Sequence, residues 1–324
     1  MSDTIPFSSL SSVPGRARLF AMISTARSRE YTPHCVRTFF ENTPIRNIDR
    51  VVVINNDDPT PLPLPTHSRL EIITHTAPLG FAHNANLMIE QALAEERDLY
   101  LLNNDLIFSR DWLGPVAEHE DAIVVPSSNQ DSQYAGTIII PAQGQVSTML
   151  VLSPSIHLDT YRESPYLFDA IAHAHRMKNN GYLGLATAPF FCVKIPLSIL
   201  KQVGKFDTSF GQAGGEDYDY SLRAWMAGFP TARATSSFLL HFWGRSTWNV
   251  STPADKRTDY DTSYDRSFVT IFQKKWGAPL AELVLNTNLR ALQAYPGADD
   301  ALARLDISTL ISILGANQVS VRLP

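Results

Sequence analysis

Apolar and polar positions along the first hundred residues come in blocks rather than singly. Residues 18–23 form a compact apolar run, and residues 50–54 are almost entirely valine and isoleucine. Residues 70–74 and 98–102 repeat the pattern. Short unbroken runs of this kind suit strands buried on both faces of a parallel sheet. Between them lie helix signals. Thr32-Pro33 sets an N-cap residue before a proline at the first helical position, which predicts a helix to about Asn42. Gly80-Phe81-Ala82 leads into a second helix over about residues 83–95. The succession β-α-β-β-α-β predicts an α/β fold: a Rossmann-like mixed, mostly parallel sheet flanked by helices.

Further along, a short helix is expected after Trp112 and a strand over residues 122–126, with Ser127-Ser128-Asn129 as its loop. Residues 136–152 alternate β-branched residues with Gly and Gln, as a hairpin does. A helix over 169–180 and a strand over 190–195 follow, then a helix over 218–227 closed by Gly228. Residues 237–242 read as a strand containing His241, and helices are expected over 264–276, 279–294 and 299–314. The expected division is a flexible segment at 1–17, the main domain at 18–277, and a helical C-terminal extension at 278–324. That extension is a candidate surface for homo-oligomer formation.

Composition narrows the class. With 324 residues, 44% of them hydrophobic and 18% charged, the chain has enough apolar material for a substantial core. A net charge of -5 argues against general nucleic-acid binding, which needs a basic face. Cys35 and Cys192 are too few for a disulfide framework and lack metal-ligand spacing, so both read as buried thiols in a reducing compartment. The first fifteen residues have neither the charged start nor the apolar centre of a signal peptide, and no apolar run is long enough to span a bilayer. A cytoplasmic protein is expected, with peripheral membrane contact left open.

Candidate chemistry sits where the apolar runs stop. The first, second and fourth predicted strands end in Ser24-Thr25-Ala26-Arg27, Asn55-Asn56-Asp57-Asp58-Pro59 and Asn103-Asn104-Asp105. In open α/β sheets such ends converge on one rim, where ligands bind. No Gly-x-Gly-x-x-Gly follows the first strand and no phosphate-loop motif occurs, so a dinucleotide fold and a P-loop are not expected. Asp105 offers a hard oxygen to a Mg²⁺- or Mn²⁺-like cation, and Asn103 a neutral group for a hydroxyl or amide. The plainer alternative is an Asn-Asn-Asp turn after a strand.

Four segments in order tip that balance. They are Gly80-Phe81-Ala82-His83-Asn84-Ala85-Asn86; Leu102-Asn103-Asn104-Asp105; Val203-Gly204-Lys205-Phe206-Asp207 through Gly215-Glu216-Asp217-Tyr218-Asp219; and His241 with Gly244 and Ser246-Thr247. Over residues 18–277 the chain resembles the inverting glycosyltransferases of family 2, which have the GT-A fold. Asn103-Asn104-Asp105 stands in the place of that family's Asp-x-Asp motif, with Asn103 for the usual first aspartate, so more weight falls on Asp105. The Gln-x-x-Arg-Trp motif of processive members is absent, so polymer synthesis with coupled export is not expected.

The resemblance implies a metal-dependent enzyme that moves a sugar from a nucleoside diphosphate sugar to a hydroxyl of a glycan, glycolipid or glycoprotein. UDP is the first expectation for the carrier, with dTDP and GDP as alternatives. Asp105 and His241 are the expected metal ligands, the imidazole favouring Mn²⁺ over Mg²⁺. The alternative for His241 is a strand histidine satisfied by a hydrogen bond. Asp217 is the expected general base and Glu216 an orienting group, against the alternative that both only complement a helix dipole.

For the nucleotide the candidates are Ser24, Arg27, Asp57, Asn103, Asn104 and Arg245. For the substrates they are Gly80, Asn84, Asn129, Gly214, Gly215 and Trp243, the glycine pair because it permits close approach to the backbone. Asp219 and Arg223, four apart, read as a structural ion pair. Two other functions compete. A sugar-phosphate nucleotidyltransferase should carry an N-terminal Gly-rich loop with Arg and Lys, which the segment after Phe20 lacks. A catalytically inactive glycan-binding protein of the same fold would not need Asp105, Asp217 and His241 together.

Overall fold

The structure is a computed structural model that describes residues 15–25, 28–56, 60–129, 158–211, 214–242, 259–286 and 288–315. The chain begins β1 (Arg18–Ser24), α1 (Thr32–Asn42), β2 (Arg50–Asn55), β3 (Leu70–Thr74), α2 (Phe81–Ala94) and β4 (Asp98–Asn103). Next come β5 (Leu106–Phe108), α3 (Leu113–Ala117), β6 (Ile123–Ser128), α4 (Leu158–Glu163) and α5 (Pro165–Lys178). β7 (Tyr182–Leu185), β8 (Cys192–Ile195), α6 (Leu197–Val203), α7 (Glu216–Met226) and β9 (Thr231–His241) complete the sheet region. Four helices follow: α8 (Asp259–Trp276), α9 (Ala278–Asn286), α10 (Ala298–Ala303) and α11 (Ile307–Leu314).

All these strands join one 9-stranded sheet in the order β3-β2-β1-β4-β8-β6-β9-β5, with β7 also paired to β9. The first four strands are parallel, as their apolar runs predict, and β1 lies fully inside, Phe20 packing on Phe39 of α1 and Tyr100 of β4. β8 runs against β4 and β6, and β9 runs parallel to β6. The start of β8 and the end of β9 therefore reach the same rim as the ends of β1, β2 and β4. Register fixes the neighbours there: Ser24 beside Asn55, Ile23 beside Asn103, and Leu102 beside Cys192.

Several boundaries differ from the sequence expectation. β9 starts at Thr231 rather than Ser237, because the small and polar Thr231–Ala234 part is buried between β6 and β7 although it lacks an apolar pattern. β6 continues through Ser127 and Ser128 past a register shift after Pro126, where a loop was expected. β8 begins at Cys192, leaving Phe190 and Phe191 in the approach to the strand. α5 starts earlier, at Pro165, and Thr32 is the first residue of α1 rather than its cap. The hairpin expected over 136–152 lies outside the described residues.

The C-terminal helices share a second core with α7. Leu222 packs with Phe272, Trp276, Leu302, Leu310 and Leu314, and the Ser308 hydroxyl donates to the Trp225 carbonyl at 3.0 Å. At their junction Asp219 accepts from Arg223 Nε at 2.9 Å and from Trp276 Nε1 at 2.8 Å, so the expected ion pair is also a tie between α7 and α8. Both cysteines are buried and free. Among the described residues no helix is long and apolar enough to cross a membrane.

Candidate active site

After β4 the chain turns through Asn103-Asn104-Asp105 into β5, which pairs against β9 with Leu106 opposite His241. The Phe242 N–H donates to the Asp105 carbonyl at 3.1 Å, locking that turn to the end of β9. The turn brings Asp105 Oδ1 to 3.2 Å from His241 Nε2, with both side chains buried. Oδ1 accepts no hydrogen bond. The Asn103 amide nitrogen lies 3.4 Å from the same imidazole nitrogen. The Phe191 ring stacks on the imidazole with centroids 5.1 Å apart, and Asn129 Oδ1 accepts the His241 backbone N–H at 2.7 Å. A buried carboxylate oxygen that accepts no hydrogen bond thus lies beside an imidazole held from two sides.

The second carboxylate group comes from the start of α7. Glu216 is buried, with Oε2 making no hydrogen bond. Asp217 is partly exposed; its Oδ1 accepts the Tyr218 N–H at 2.8 Å, and the nearby Phe190 backbone favours its charged form. Burial pushes both carboxyls above the usual carboxylate range, and the Asp217 charge pushes Glu216 further up.

One residue separates the two groups along the backbone. The Phe190 backbone lies near enough to Asp217 to favour its charge, while the Phe191 carbonyl accepts the Asn103 N–H at 2.7 Å and its ring covers His241. Asp105, Asn103 and His241 thus share one rim with Asp217 and Glu216. The aromatic pair that joins them went unnoticed in the sequence, where Pro189-Phe190-Phe191 reads as the start of a core strand.

Other candidates serve the scaffold. Asn104 is fully buried and donates to Ser28 Oγ at 2.7 Å and Thr32 Oγ1 at 2.8 Å, pinning the end of β4 to the start of α1. Ser24, also fully buried, spends its hydroxyl on Thr32 Oγ1 at 2.7 Å. Asn84 donates to Asn56 Oδ1 at 2.9 Å and to the Gly80 carbonyl at 3.2 Å, which fastens the entry of α2 to the end of β2. These three side chains are buried in the hydrogen bonds of the scaffold, and Gly80 caps α2. Asn129 holds His241 rather than facing solvent. Arg27, Asp57, Trp243 and Arg245 lie outside the described residues.

The glycine pair has a packing reason of its own. Gly214 and Gly215 have φ of +116° and +82°, and a Cβ on either would meet the Phe268 ring at 2.9 Å. Gly215 would also press on Phe210 at 3.2 Å. The pair lets α7 begin beneath the aromatic side chains of its neighbours. Gly215→Ala is expected to cost about 2–4 kcal/mol from the left-handed backbone and the overlap together. Urea denaturation of the variant and parent measures it.

No protein-family model matches the chain, and no curated protein matches it in sequence. Solved structures do. GalNAc-T7 with UDP, GalNAc and Mn²⁺ aligns with a TM-score of 0.54 at 11% identity, over 91% of this chain. The fold is of the GT-A type. The chain spans 55% of the length of that structure. A mannosyltransferase, PcManGT from Pyrobaculum calidifontis in complex with GDP-Man and Mn²⁺, aligns over 93% of this chain and 85% of its own, at 13% identity and a TM-score of 0.43.

Proposed function

We propose that this GT-A chain is a metal-dependent, inverting glycosyltransferase, moving a sugar from a nucleoside diphosphate sugar to a hydroxyl of a glycan, glycolipid or glycoprotein. UDP is the carrier proposed first, with GDP and dTDP as the other arms of the test. The observation that supports the reading is the Phe190-Phe191 step, which links the Asp105–His241 carboxylate–imidazole pair to the Asp217 carboxylate.

Asp105 and His241 are the residues that would hold the cation. Among the described residues no group of three His, Cys, Asp or Glu side chains converges, so a metal at Asp105 would take its remaining oxygens from the donor diphosphate and water. One carboxylate with one imidazole suits Mn²⁺ better than Mg²⁺. Bound there, the ion would neutralise charge growing on the departing diphosphate.

Asp217 does the proton work. Its carboxylate accepts the Tyr218 N–H and is partly open, so an incoming hydroxyl can hydrogen-bond to it and lose its proton as it attacks. With the base on the acceptor side and the diphosphate on the other, displacement inverts the anomeric carbon. Glu216, whose carboxyl is raised above Asp217's by burial and by the Asp217 charge, retains its proton to higher pH and so leaves the negative charge of the pair on Asp217.

The test is donor turnover. Incubated with UDP-, GDP- or dTDP-sugars, the protein should release the nucleoside diphosphate only with Mn²⁺, and the freed sugar should first appear in NMR with the opposite anomeric configuration. The rate should fall as pH drops and Asp217 protonates, with an inflection above the ~4 of an ordinary aspartate because burial disfavours its charge. Retained configuration would refute the inverting step. Pyrophosphate release from a nucleoside triphosphate and a sugar phosphate would replace the reading with a nucleotidyltransferase.

A further inference from the structure

The first turn of α7 concentrates acidic side chains. Glu216, Asp217 and Asp219 all lie in it, and Asp219 is fully buried. The partial positive charge at a helix start offsets only part of their mutual repulsion, and a carboxylate removed from water is costly unless it is paired. Asp219 draws its partners from two helices. Arg223 Nε, on α7 itself, donates to Oδ2 at 2.9 Å. Trp276 Nε1 donates to Oδ1 at 2.8 Å, and Lys275 Nζ lies 2.7 Å from the same oxygen. Both of these belong to α8. Lys275 Nζ also pairs with Asp207 at 2.6 Å.

Helix α8 grips the chain before the proposed base as well as after it. About two helical turns before Lys275, and so on the same side of α8, stands Phe268. Its ring lies so close over Gly214 and Gly215 that a Cβ on either would meet it at 2.9 Å. Lys275 Nζ also lies 5.8 Å from the centre of the Phe210 ring, which flanks Gly215. Glu216 and Asp217 are therefore bracketed by one helix, at the glycine pair on one side and at Asp219 on the other.

We propose that Lys275 is a positioning residue for sugar transfer: through Asp219 it fixes the first turn of α7, and with it the direction of the Asp217 carboxylate. The inference rests on the reading of Asp217 as the base. Arg223 secures α7 to the segment before it, through the Val203 and Lys205 carbonyls at 2.9 Å each. Lys275 supplies the charge from the α8 side, where a bond holds the turn from outside its own helix. Its side chain is 21% exposed, so it can be exchanged without opening a cavity in the core. A displacement of about 1 Å between reacting groups costs on the order of 10²-fold in rate, so a loosened first turn should be felt in kcat.

Lys275→Met keeps the apolar stem and removes the charge. It should lower kcat about 30-fold while donor KM and the Mn²⁺-dependent affinity for the nucleoside diphosphate stay within about twofold. Lys275→Arg returns a cation to the site and should recover kcat to within about fivefold of wild type. Leu310→Val loosens the core that α11 shares with α7 without touching the first turn. It should lower the urea midpoint and leave kcat within about twofold, which separates positioning from a general loss of stability. Hydrogen exchange read by mass spectrometry adds a measure that needs no turnover: in Lys275→Met the peptide over residues 214–221 should exchange faster, with β1 and β4 unchanged. Wild-type kcat in Lys275→Met while Asp217→Asn is inactive overturns the role of Lys275 alone, as does unchanged exchange over that peptide. Wild-type transfer by Asp217→Asn overturns the assignment of the base, and the role of Lys275 with it.

Discussion

Asp217→Asn is expected to lower kcat for sugar transfer by about 10³-fold or more while leaving Mn²⁺-dependent nucleotide affinity within about twofold. The substitution is nearly isosteric. The asparagine carbonyl can still accept the Tyr218 N–H that Asp217 Oδ1 accepts at 2.8 Å, so the start of α7 should keep its shape. What the amide cannot do is take a proton from an attacking hydroxyl. Binding should survive because the proposed cation ligands, Asp105 and His241, hang on β5 and β9 and not on α7. Steady-state kinetics beside calorimetric titration of the nucleoside diphosphate separate the two effects. Transfer at the wild-type rate would remove Asp217 from the role of base.

Asp105→Ala should act on binding itself. The backbone bond from the Phe242 N–H to the residue-105 carbonyl does not depend on the side chain, so β5 should still pair with β9. Lost is the carboxylate 3.2 Å from His241 Nε2, and with it the charged half of the cation's protein ligands. Affinity for the nucleoside diphosphate in Mn²⁺ should fall about 100-fold, corresponding to the few kcal/mol a well-placed metal–phosphate contact contributes. Without Mn²⁺ the variant and wild type should bind alike. Equal affinity of the two proteins in Mn²⁺ would put the metal elsewhere.

These residues could be nominated from sequence because burial leaves a plain mark. Strands enclosed on both faces must be apolar throughout, so β1, β2 and β4 stand out, and the polar residues that end them fall on the rim. The resemblance paired Asp105 with His241, but nothing in the hydropathy pattern shows their meeting. It depends on β5, a strand of only three residues, pairing backwards onto β9. The early part of β9 was hidden for a related reason: Thr231-Ala232-Arg233-Ala234 carries no apolar alternation, and only its neighbours β6 and β7 make it a strand.

The side chains that tie the scaffold were hard to single out for a common reason. Asn84 and Asn104 sit at strand and helix ends, where an amide can serve a ligand or tie loops together, and composition does not separate the two. The partners that decide the matter, Asn56 and Ser28, are 28 and 76 positions away. Gly214 and Gly215 owe their lack of side chains to Phe268, on a helix that follows β9. Phe190 and Phe191 were expected to open a strand over 190–195, and both are buried in the core. Their backbone groups, invisible in a hydropathy pattern, join the two halves of the site.

The most direct measurement is a crystal structure of the protein with Mn²⁺ and a nucleoside diphosphate, with anomalous scattering collected to locate the manganese. The account places the ion against the Asp105 carboxylate and the His241 imidazole, with the diphosphate bound to it and the Asp217 carboxylate across the same opening. Manganese bound away from both ligands, or a nucleotide with Asp217 facing a different surface, would contradict it.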